Sequence, residues 1–75
     1  MITLEEFNIK CEELYLNGTI LTPETNFRDN DEFDSLIGYA MLMTIQENLN
    51  YDMSVKEFLS CHTTKDLYQA ATKKD

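Results

Sequence analysis

The sequence predicts an all-α fold, a small four-helix bundle of three main helices and one short helix with a long first loop. Three observations predict it. Apolar residues recur at helical spacing behind Thr, Asp and Ser caps, no extended alternation of apolar and polar residues occurs, and two glycines with one proline are too few for a hairpin-rich β fold. Seventy-five residues allow a single domain, 1–75, with one small and marginally stabilising core.

The first helix opens on a capping box, Thr3 with Glu6, and Leu4, Phe7, Cys11 and Leu14 give it one buried stripe through about Leu16. Glu5, Glu6, Glu12 and Glu13 lie on its other faces as ordinary solvation. Asn17-Gly18 ends it, because both residues tolerate the left-handed conformation of helix C-termini. From Asn17 to Asp34 no periodicity is sustained, and Pro23 and many turn formers make this a loop. Ile20, Leu21, Phe27 and Phe33 are placed to pin it across the bundle, with room for a short helical turn.

Ser35 to about Leu49 reads as the second helix, ended near Asn48-Leu49-Asn50, and it is more apolar than one stripe requires. Met41, Leu42, Ile45 and Leu49 form a core strip, which leaves Leu36, Tyr39 and Met43 on a different face at i, i+3 and i+7. A second capping box, Ser54 with Glu57, starts a short third helix with Phe58 and Leu59 turned inward. Thr63 and Asp66 cap the final helix, in which Leu67, Tyr68 and Ala71 pack before a frayed tail from Thr72 to Asp75. There is no repeat, low-complexity tract or second domain.

The chain carries 14 acidic residues against 6 Lys and Arg, a net charge of −8. That balance disfavours nucleic acid or an anionic membrane as partner and suits a basic protein surface. Acids crowded between Asp29 and Asp34 repel one another. Cys11 and Cys61 lie in apolar helical patterns with no signal peptide or membrane span, so they read as reduced core thiols of a cytoplasmic protein; a disulfide between them is the alternative.

Enzyme chemistry is hard to assemble from these residues. His62 is the only histidine, and a Cys11/Cys61/His62 metal site lacks a fourth ligand and any zinc spacing. One distant histidine cannot make Ser35 a triad nucleophile. Asp29, Asp31 and Asp34 have the wrong spacing for a calcium loop. No catalytic residue and no metal ligand is assigned.

The informative stretch is Asp34-Ser35-Leu36, a serine at a helix start where unpaired backbone N–H groups and the helix dipole favour a phosphate ester. Read on its own, the serine serves equally as N-cap or first helical residue, with Asp34 as the other candidate cap. Phe27 stands eight residues before Ser35, and Thr63-Thr64-Lys65-Asp66-Leu67 opens the last helix. In these residues, and without a gap from Phe27 onward, the chain resembles the acyl carrier protein family, including the peptidyl and D-alanyl carriers.

The resemblance implies a free-standing, monomeric, non-catalytic carrier. Ser35 would bear phosphopantetheine, delivered from coenzyme A by a phosphopantetheinyl transferase, with Asp34 and Leu36 as flanking recognition residues. Acyl or aminoacyl groups would ride on the arm as thioesters for loading and processing enzymes of a dedicated biosynthetic pathway. Leu36, Ile37, Tyr39, Met43 and Glu47 would meet those partners. Two departures stand out: Asp31-Glu32-Phe33 replaces the family's usual Leu-Gly before Asp-Ser, and Ile37-Gly38 follows Leu36 where fatty-acid members often carry acids. An unmodified acidic interaction module, docking through the second helix, is the alternative.

Overall fold

The computed structural model describes residues 2–73 and contains, among them, four α-helices and no strand: α1 (Leu4–Glu12), α2 (Ser35–Leu49), α3 (Val55–Leu59) and α4 (Thr64–Thr72). α1 and α4 each open on a reciprocal capping box, Thr3 with Glu6 and Thr63 with Asp66. α2 ends at Asn50, which takes the left-handed conformation that closes many helices. None of these helices is long and apolar enough to cross a membrane.

The core is built from one face of each helix. Phe7 and Cys11 of α1, Met41, Ile45 and Leu49 of α2, Phe58 of α3 and Leu67 of α4 are all buried. Each such large apolar side chain contributes about 1.5–3 kcal/mol by leaving water. α1 packs on α4, α4 on α2 and, more lightly, α1 on α2. α3 stands apart from these pairings and is attached through the Phe58 ring, which stacks on Phe27 with centroids 5.7 Å apart.

The long loop is ordered by buried anchors and by directed hydrogen bonds. Leu21 and Phe27 enter the core as the sequence suggests, and a single 3₁₀ turn (Phe27–Asp29) forms where one had room. The Phe27 N–H donates to the His62 carbonyl at 3.0 Å and its own carbonyl accepts from Tyr15 Oη at 2.7 Å, tying the loop to both sides of the bundle. Phe33 packs at the edge of the core against Phe27.

Several local expectations are corrected. α1 stops at Glu12 rather than near Leu16, because the following turn swings Tyr15 into the core and leaves Leu16 outside. Ile20 and Leu59 are exposed: Leu21, not Ile20, is the loop's apolar anchor, and α3 is too short to bury more than Phe58. At Ser54 only half a capping box exists. Its Oγ accepts from the Glu57 N–H, but the Glu57 carboxylate accepts instead from Tyr51 Oη at 2.6 Å. Thr72 belongs to α4, its hydroxyl donating to the Tyr68 carbonyl at 2.7 Å; Lys74 and Asp75 of the expected tail lie outside the described residues. Cys11 and Cys61 are buried free thiols.

Candidate functional site

Asp34 settles how α2 begins. Its extended backbone and its carboxylate, which accepts from the Ile37 N–H at 2.9 Å, make it the N-cap, so Ser35 is the first helical residue. The Ser35 side chain is exposed and has no protein hydrogen-bond partner among the described residues. Backbone N–H groups of the first turn and the positive end of a 15-residue helix surround it, a setting that stabilises a phosphodiester.

Ser35 opens onto a groove of about 290 Å³ between α2 and α3. Phe33, Tyr39, Leu42, Val55, Phe58 and Leu59 make its walls mostly apolar, and Gly38 leaves space between the Phe33 and Phe58 rings. Arg28 is the cation of this groove, and sequence reasoning missed it. Its guanidinium donates to the Phe58 and Cys61 carbonyls at the end of α3 and lies 4.8 Å from the Phe58 ring centroid, 5.1 Å from Phe27 and 5.7 Å from Phe33. Together with the Phe58–Phe27 stacking, this side chain holds α3 and with it the far wall of the groove. Its place directly after Phe27 was the available signal.

The acids before Ser35 are partly engaged. Glu32 accepts from the Leu16 and Asn17 N–H groups and from the Thr19 hydroxyl, while Asn30 donates to that hydroxyl and accepts from the Glu32 N–H. Asp34 is the helix cap, leaving Asp29 and Asp31 exposed. Among the described residues, no three His, Cys, Asp or Glu side chains gather into a metal cluster.

Along α2 the expected partner-facing residues separate into two groups. Leu36 is 76 % exposed, Tyr39 66 % exposed, and Met43 and Glu47 are also exposed, so the four share an outward stripe. Ile37 does not join them. It is only 9 % exposed and belongs to the core cluster, because position 37 precedes the buried Met41 by one helical turn.

A family model described as the phosphopantetheine attachment site matches residues 8–71. Comparisons with curated proteins and with solved structures each gave no match.

Proposed function

The chain belongs to the phosphopantetheine attachment-site family, and on that premise we propose that it is a carrier protein whose Ser35 bears the arm. The family's group is covalently bound phosphopantetheine. The observation that carries the serine assignment is an exposed, unpartnered hydroxyl at the first position of α2, beside an apolar groove and capped by Asp34.

Attachment is a displacement in which the transferase supplies the chemistry. Ser35 Oγ bonds to the pantetheine-bearing phosphorus of coenzyme A, the pyrophosphate P–O bond breaks, 3′,5′-adenosine bisphosphate leaves, and the hydroxyl proton passes to a base of the transferase. When bound, the arm supplies a terminal thiol that carries acyl or aminoacyl groups as thioesters. This chain contributes no catalytic residue of its own. Asp34 holds the α2 start, Leu36, Tyr39 and Met43 face the loading and processing enzymes, and the groove shelters the arm or its cargo. The net charge of −8 argues against nucleic acid as partner, and we place the protein, as a monomer, in the cytoplasm.

The test is intact mass. With coenzyme A, magnesium and a broad-specificity transferase, the wild type should gain one phosphopantetheinyl group that peptide mapping puts on Ser35, and Ser35→Ala should gain none while keeping its helical circular dichroism. A wild type left unmodified where a control carrier is converted would support the unmodified interaction module instead.

A further inference from the structure

A second cleft flanks the start of α2, lined by both neighbours of Ser35. That cleft, about 270 Å³, lies between the end of α1 and the start of α2 and is lined by Leu14, Leu16, Leu36 and Ala40 with Glu32 and Asp34 at its rim. Leu16 is 87 % exposed, the greatest exposure among the large apolar side chains of the described residues. An exposed leucine by itself means little. This one, however, is held in place: the Glu32 carboxylate accepts both the Leu16 and Asn17 N–H groups, bonds to a charged acceptor that carry more stability than neutral ones. The chain thus fixes the backbone from which this leucine projects, outside the core, and a segment whose backbone is already ordered loses less entropy on contact.

The charge around the cleft is one-sided. No Lys, Arg or His occurs from Cys11 to Phe27 or from Asp29 to Val55, the two segments that build it, while Glu12, Glu13, Asp31, Glu32 and Asp34 are all present. A partner seated here must bring an apolar side chain and a cationic rim. An enzyme that offers coenzyme A to Ser35 has that character, since it must neutralise the diphosphate and the 3′-phosphate at the edge of its contact with the carrier.

We infer that the Leu16–Leu36 cleft is the docking seat of the phosphopantetheinyl transferase, with Leu16 as a specificity-determining contact held by Glu32. This rests on Ser35 being the attachment residue. The transferase thus grips the flank facing away from α3, and the groove between α2 and α3 stays open for the incoming arm.

Initial rates of arm transfer from coenzyme A to the full chain test it, with thermal melts run beside them. Leu16→Ser should melt like the wild type yet lose about tenfold in kcat/KM, chiefly through KM, the loss typical of an interface anchor. Leu16→Lys should lose more, because it places a cation against cations, and its deficit should shrink as sodium chloride is raised. Ile9→Ser, at an exposed α1 residue lining neither cleft, should change nothing. Wild-type rates for both Leu16 variants overturn the inference while leaving the attachment reading intact; a wild type that takes no arm overturns both.

Discussion

Thr64 and Asn8, 56 positions apart, meet in the interior: the Thr64 hydroxyl donates to Asn8 Oδ1 at 2.6 Å, and Asn8 Nδ2 donates onward to the Leu21 carbonyl at 2.8 Å. Both side chains are buried. Two hydrogen bonds thereby join α1, the long loop and the first turn of α4, and they fix which residue of α1 faces which residue of α4. A greasier pair at these positions would pack without specifying that register.

Asn8→Leu strands the Thr64 hydroxyl and the Leu21 carbonyl away from water, and a loss of about 2–4 kcal/mol in urea unfolding is expected. Adding Thr64→Val to that variant should recover part of the loss, since one of the two stranded groups is then gone. A double mutant whose loss equals the sum of the two single losses would deny the pairing any energetic weight.

Arg28→Lys keeps the charge but not the planar fork that reaches two carbonyls at once while lying against three rings. The expected cost is about 2 kcal/mol, accompanied by faster amide hydrogen exchange in Val55–Leu59 than in α1 or α4. Uniform acceleration across all four helices would mean that Arg28 supports the whole fold rather than α3.

Gly38→Ala should stabilise. The added methyl would meet Phe33 and Phe58 at 3.5 Å, ordinary van der Waals contact, and would remove the helix-interior glycine penalty of about 1 kcal/mol. A lower melting temperature would show that the two rings cannot accept a neighbour on the floor of the groove.

Tyr39→Ala and Met43→Ala remove exposed side chains, so their melting temperatures should stay near that of the wild type. Affinity for a cognate loading enzyme should fall by roughly 1–2 kcal/mol for each, with Glu47→Gln mattering less. A large drop in melting temperature with unchanged affinity of the folded fraction would place these residues in the core instead.

Stability should fall at both ends of the pH scale for separate reasons. The Asp66 carboxyl lies below its ordinary value mainly because it accepts the His62 N–H, helped by Thr63. Its contribution is therefore complete above the unfolded carboxylate value of about 4 and is lost as pH falls toward the lower folded one. Asp66→Asn should flatten that acid limb. Burial pushes the Cys11 thiol up to about 12, so the folded state keeps a proton that the unfolded chain gives up above about pH 8.5. Stability should decline between those values, and Cys11→Ala, though less stable overall, should show a shallower alkaline slope.

What could be read from the sequence was local. α2 is bounded by Asp34 and Asn50, and Thr3, Ser54 and Thr63 each cap the helix they precede, because caps act over three or four residues. The rest turned on partners beyond that reach, from 6 to 33 residues away. α1 ends early where Glu32, 16 residues beyond Leu16, takes the amides of the next turn. Glu57 leaves its own cap for Tyr51, and Arg28 reaches carbonyls 30 and 33 residues away. Periodicity placed Leu36, Tyr39 and Met43 together, and the same rule sets Ile37 one turn before Met41 of the core strip, so its burial was legible despite its grouping with the partner-facing residues.

The two clefts beside Ser35 have only one lining residue in common, Asp34. Substitutions on opposite flanks, at Leu16 and at Val55 for instance, involve side chains with no shared partner, and such changes combine almost independently. Variation can therefore retune what settles beside α3 without altering how a protein grips the far flank, and the reverse holds as well. Asp34 alone answers to both sides, and it also caps α2, so a substitution there acts on both flanks and on the helix start at once.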